Sequence, residues 1–215
     1  MGETPDLSDS SQQNYVLRNK LGKGSNNNTK KQKEEYLKYL LKTDETKSDP
    51  FEILGGGCSW YCGASTYKVI ASSSLSSNGQ INYSAKSAHD LSYRTTWVEG
   101  VPGDGIGEFL EYYFKNDCPR VTTIIISNGY VKSDRTWKEN SRVKTLKLYL
   151  NQKPFAILSL ADSKANQIFK LEKPIGRYKD GKDMVLKFEI AEIYKGDKFD
   201  DTAITEIYFD GIDVH

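Results

Sequence analysis

Histidine is nearly absent from this chain of 215 residues: His89 and the terminal His215 are its two. A His-centred triad would rest on His89 alone. No G-x-S-x-G is present, and neither the Gly55-Gly56-Gly57 run nor the stretch from Gly103 to Gly107 carries the Lys-Ser/Thr pair of a phosphate loop. The second stretch also misses the dinucleotide fingerprint, because Glu108 stands where the last glycine belongs and no βαβ pattern surrounds it. Acidic residues number 29, yet no spacing singles out a hydrolase pair. These gaps argue against an enzyme, leaving a hydrolase built on loop Asp and Glu residues as a distant alternative. Charge bias is missing too. With 30 basic residues interspersed among the acidic ones the net charge is +1, and no basic stripe offers a nucleic acid a footprint. No apolar run approaches a membrane span. No internal repeat is visible.

What the chain does have is aromatic residues, 14 Tyr among them, which suit both sheets and polar recognition surfaces. Its first fifty residues differ from the rest. Residues 1–28 hold Ser, Gln, Asn, Gly and charges with almost nothing to bury, the composition of a disordered tail. From Asn28 the run NTKKQKEEYLKYLLK predicts one short helix, capped by Asn28 or Thr29, with Leu37, Leu40 and Leu41 on one face. It either docks on the folded part or stays frayed until a partner orders it. After Asp49-Pro50 the composition changes to strands and turns, which predicts a polar segment over 1–50 and a single domain over 51–215. Val121 to Ile126 reads as a strand buried on both faces. Leu146, Leu148 and Leu150 alternate with polar neighbours. Met184, Leu186, Phe188 and Ile190 face away from Lys187 and Glu189. Ile207 and Phe209 form the inner face of a last short strand. Further runs at 67–75, 106–114, 154–160 and 166–171 bring the count to roughly eight, with turn residues between them. Strands in this number without intervening helices predict an all-β Greek-key sandwich or jelly roll.

Two segments narrow this further. Ala88 to Phe109 reads AHDLSYRTTWVEGVPGDGIGEF, an Asp followed by a Thr-x-Trp tripeptide at Thr95 to Trp97 and a Gly-rich loop. Near the end, DDTAITEIYFDG is an Asp-rich turn entering a strand that carries Glu206. Together they resemble the discoidin-like (coagulation-factor type C, galactose-binding-like) jelly roll. With SNGYVKSDRTWKENSRVK, the phrases WVEGVPGDGIGE and KFDDTAITEIYFDG are most similar to the variant at the front of the streptococcal NAD-glycohydrolase, a glycan-binding or translocation domain. The resemblance covers about Ile53 to Gly211. It implies a non-catalytic recognition module of an exported bacterial protein, with a glycan or an extracellular protein as partner and a delivery role as the alternative. The N-terminus is polar and acidic, unlike a signal peptide, so the expectation is an exported protein whose leader is absent from this sequence, with a cytoplasmic protein as the runner-up.

The resemblance also implies a structural Ca²⁺, held by Asp90, Thr95 and Glu206 with carbonyls from 88–93 and 203–204. Strand parity agrees, because Glu206 faces away from Ile207 and Phe209. The bland alternative makes Asp90 a turn cap and Glu206 an ordinary surface group. Trp97 is expected in the core. For a ligand, the loop after Ser127 offers Tyr130 and Trp137 as stacking rings among Asn128, Lys132, Asn140 and Arg142. Against this stands a bracing role for Tyr130 and Arg142, the latter paired to a carboxylate. Glu99 and Asp104 form a second polar cluster for the same end of the sandwich, or serve turn chemistry around Pro102-Gly103. Cys58 and Cys62 lie roughly 13 Å apart if extended and about 6 Å apart in a tight turn, so a local disulfide is expected, with a reduced pair as the alternative. A Cys₃His zinc site using Cys118 and His89 is a weaker reading.

Overall fold

The computed structural model describes residues 59–213 apart from 65 and 80. The expected helix from Asn28 and the thiol of Cys58 lie outside these residues. Among the described residues nine strands follow in chain order: β1 (Lys68–Ala71), β2 (Trp97–Val98), β3 (Phe109–Phe114), β4 (Val121–Asn128), β5 (Ser141–Leu150), β6 (Lys153–Ser159), β7 (Gln167–Ile175), β8 (Met184–Tyr194) and β9 (Thr202–Gly211). Among these strands pairing is antiparallel except between β5 and β9. One layer runs β1-β3-β8-β5-β6 and the other β2-β9-β4-β7, and a short parallel pairing of Ser141 and Arg142 on β5 with Thr202 and Ala203 on β9 joins them. This is the jelly-roll sandwich that the strand pattern predicts.

Alternation builds the core. On β8, Met184, Leu186, Phe188 and Ile190 are buried, while Lys187 and Glu189 turn outward to form an ion pair. Facing them across the sandwich, β9 contributes Ile207 and Phe209. The Phe209 ring lies 5.0 Å from Phe114 and 5.3 Å from Tyr112, both on β3 and both edge-on. Trp97 is fully buried and its indole N–H donates to Ser73 O at 2.9 Å. Asn151 and Gln152, both at positive φ, close the tight β5–β6 hairpin.

Two features depart from the sequence reading. The loop after β4 contains a helix, α1 (Asp134–Glu139), started by Ser133, whose hydroxyl accepts Thr136 N–H at 3.1 Å. Strand β9 is buried on both faces from Thr202 to Phe209. Its outer face is roofed because β2 covers only Ile204 and Ala203, leaving the rest of that edge to the loop 84–96. Side chains complete the edge pairing: Phe209 N–H donates to Tyr61 Oη at 2.9 Å, and His89 Nδ1 lies 2.9 Å from Ile207 O.

Candidate functional site

The candidate residues gather in two places around β9. At its middle, the loop 84–96 folds over the strand. A 3-10 turn at Ala85–Ala88 delivers His89, and Leu91 then adopts a left-handed conformation with φ of 59°. That reversal points Leu91 N–H at Glu206 Oε2, 3.1 Å away. Asp90 accepts the Thr95 hydroxyl at 2.7–2.8 Å and Ser92 N–H at 3.2 Å. Asp90, Thr95 and Glu206 therefore meet in space, as the sequence pairing implied. Glu206 faces away from Ile207 and Phe209 as its parity predicts, yet it is no surface group, because the loop seals it completely.

The electrostatics are lopsided. Burial, and then the charge of Asp90, push the Glu206 carboxyl well above the usual glutamate range, and burial raises Asp90 as well. Burial lowers His89, whose Nδ1–H serves Ile207 O, and so disfavours the charged ring that Glu206 would need as a counter-ion. Its Nδ1 stands 3.6 Å from Glu206 Oε1, beyond hydrogen-bond range, and that oxygen has no partner. The Asp90 and Glu206 carboxylates, one Glu206 oxygen being buried and unmatched, and the Thr95 hydroxyl are hard oxygens of the class that Ca²⁺ takes. Among the described residues no group of three or more His, Cys, Asp or Glu converges, so the set relies on oxygens other than carboxylates.

At the Thr202 end the two polar clusters do come together. Glu99, fully buried, accepts Val101 N–H at 2.8 Å and Thr202 N–H at 3.1 Å. Asp104 ion-pairs with Lys195, and its carbonyl accepts the Thr202 hydroxyl at 2.8 Å. On the other side Gly129 N–H donates to Ala203 O at 3.2 Å.

The stacking rings are corrected by this geometry. Gly129, at φ of 78°, turns the chain so that Tyr130 drops onto Val98 and Ala203 with 7% of its surface exposed. Asn128 is fully buried and holds both polar groups of Val143, at 2.7 and 3.0 Å. Trp137 is half-buried, donates to Asn128 O at 3.1 Å and carries the Arg142 guanidinium 4.5 Å over its ring. Arg142 is the brace of the alternative reading. It is bidentate to Asp162 at 2.9 Å and reaches Asn140 O at 3.1 Å and Lys195 O at 3.2 Å. Asn140 caps α1 through Thr136 O at 2.8 Å. Of that loop's candidates, Lys132 alone is exposed. The physical reason is shared: a short loop over a two-layer edge buries its large rings before it can present them.

One exposed ring at this end was missed by sequence reasoning. Phe199, 39% exposed, sits in the β8–β9 connection. Its N–H donates to Glu139 O at 2.8 Å and its carbonyl accepts the Ser141 hydroxyl at 3.3 Å, so the backbone is held on both sides. Asp104, Lys195 and Asp200 form an ion-paired group beside it. The signal was available: a phenylalanine inside Asp197-Lys198-Phe199-Asp200-Asp201 has no apolar neighbour to follow into a core.

Fold and site together define a discoidin-like jelly-roll module. The profile of the NAD glycohydrolase translocation F5/8 type C domain matches residues 60–210, and the chain belongs to that family. No curated protein matches the sequence. Among solved structures it is similar to the family 32 carbohydrate-binding module of Clostridium perfringens NanJ, solved with galactose, at 19% identity and a TM-score of 0.46, over 66% of this chain and 91% of that one. The family 32 module of Streptococcus pneumoniae EndoD aligns at 9% identity and 0.48, over 67% and 96%. The Streptococcus pyogenes NAD⁺-glycohydrolase translocation domain aligns at 23% identity and 0.38, over 54% and 98%. Among the described residues no helix is long and apolar enough to cross a membrane.

Proposed function

We propose that this protein is a non-catalytic recognition module that binds a glycan through the loops at the Thr202 end of the sandwich. The observation that carries this reading is Phe199: an exposed ring on a fixed backbone, with carboxylates and an ammonium group beside it. A sugar needs that mixture, because its apolar ring face and its hydroxyls must both be satisfied. The Lys198 ammonium now lies 4.7 Å over the Phe199 ring and would yield that face to a ligand. Asp104, Lys195 and Asp200 then serve the hydroxyls, with Lys132 at the rim. Export follows from the same reading, since such glycans lie outside the cell.

A structural Ca²⁺ belongs to the proposal. Asp90, Thr95 and Glu206 would hold it, and its charge would neutralise two carboxylates that otherwise face each other under the loop. The ion would tie loop 84–96 to β9 and take no part in chemistry.

A delivery module gripping another polypeptide is the second reading, favoured by the family, whose description is of a translocation domain. A glycan array separates the two. Binding by the parent and loss on Phe199→Ala, with an unchanged melting temperature, supports the first. A blank array with the parent removes it and leaves delivery.

A further inference from the structure

Five buried side-chain polar atoms among the described residues have no hydrogen-bond partner: Trp60 Nε1, Ser127 Oγ, Asn166 Oδ1, Tyr178 Oη and Glu206 Oε1. Buried polar groups are nearly always partnered, so a cluster of exceptions marks a place where something else is bound. Three of these five fall in one row. Ser127 on β4 and Glu206 on β9 are direct register partners. Ile126 pairs with Gln167 of β7, so Asn166, one residue earlier, stands across from Ser127 on its other side. All three share the outer face with the Ile125–Tyr208 pair, two residues along both strands.

That row is enclosed. Ser127 and Glu206 have no exposed surface, and the Asn166 side-chain oxygen is buried. The Asn166 amide donates to Tyr93 Oη at 2.6 Å and to Tyr208 Oη at 3.0 Å, so Tyr93, from the loop that carries Asp90, closes the row from above. Cross-strand partners have Cβ atoms about 5 Å apart, near enough to share one small ligand yet not bonded to each other here. The unmatched groups are a carboxylate, a hydroxyl and an amide carbonyl. A hydroxyl between two acceptor-only oxygens has one proton to give, so the group still calls for a further donor or a cation.

Resting on the cation reading above, we propose that the ion's shell is completed from the strand side by a trapped water held by Ser127 and Asn166. Asp90, Thr95 and Glu206 supply three to five oxygens, whereas Ca²⁺ takes roughly six to eight. Loop carbonyls meet part of the difference, and the water on the Ser127 side meets the rest. Ser127 and Asn166 are thus positioning residues for the ion, one shell removed from it.

Tb³⁺, a luminescent stand-in for Ca²⁺, tests this with the full chain. Its emission lifetime in H₂O against D₂O counts the waters bound to the ion. The parent should retain about one, and Ser127→Ala should weaken Tb³⁺ affinity roughly tenfold, the usual scale for losing a group behind a metal ligand. Melting of Ser127→Ala in chelator should match the parent, which a merely structural serine would not guarantee. A parent ion with no bound water, or Ser127→Ala affinity within twofold of the parent, overturns the inference while the cation site survives. No Tb³⁺ binding by the parent removes the cation reading and this inference with it.

Discussion

Glu99 and Glu206 are both sealed against β9, and they are sealed in opposite ways. Glu99, at the Thr202 end, spends its two oxygens on two backbone N–H groups, Val101 and Thr202, so its burial is balanced from within the chain. Glu206, four residues along β9 from Thr202, has one oxygen on Leu91 N–H while the other makes no hydrogen bond, with Asp90 facing it. A carboxylate satisfied by backbone is part of the architecture. One left half-satisfied beside another carboxylate is a candidate for a site. The two regions thus separate: at the Thr202 end a finished brace leaves Phe199 exposed, and the Glu206 region is where the proposed cation would sit.

The largest effect that sharpens the contrast is Glu99→Ala. It strands the buried Thr202 N–H and the part-buried Val101 N–H, at roughly 1–3 kcal/mol for a buried group and less for the other, and denaturant unfolding should show a loss of about 3 kcal/mol whether or not calcium is present. A loss that depends on calcium would mean the two regions are not separate. Next comes the parent itself: calcium at about a hundred times its dissociation constant should add about 2.7 kcal/mol over chelator, and Glu206→Gln should abolish that difference. Equal stability with and without chelator in the parent would break the comparison at its Glu206 side.

A smaller effect is expected from Trp137→Ala, which removes a half-buried ring under Arg142 and should cost about 1–2 kcal/mol in thermal or denaturant melts. Phe199→Ala should cost under about 0.5 kcal/mol while glycan binding is lost. Should the two exchange behaviours, the ring that presents and the ring that braces have been inverted.

The pH dependence in chelator has a definite sign. A carboxyl raised in the folded state keeps a proton that the unfolded chain releases above about 4.5, so this contribution to stability is complete below that pH and is lost as pH rises through the folded value. Melting temperatures of Glu206→Gln should lack this decline. A parent that gains stability across the same window, with Glu206→Gln unchanged from it, would show Glu206 to be paired after all.

Strand periodicity was enough to place the sandwich. The alternation at Met184 to Ile190 and the pairing of a Thr-x-Trp loop with a late Glu are local patterns, and local patterns survive into the fold because each strand face has one side to bury. The meeting of Asp90, Thr95 and Glu206 was implied by the family resemblance, and parity added only that Glu206 faces away from Ile207 and Phe209. Lost from view was everything decided by which surface another segment covers. Glu206 was expected outside the core and lies sealed because loop 84–96 closes over a strand that β2 leaves short. Tyr130 and Trp137 look like presenting rings among polar neighbours, and a left-handed Gly129 with the Arg142 brace turned them to structure. Sequence fixes which residues can be apolar on one face. Only tertiary packing decides which polar ones are left without water, and that shortage gives Glu99, Glu206 and Ser127 their different fates.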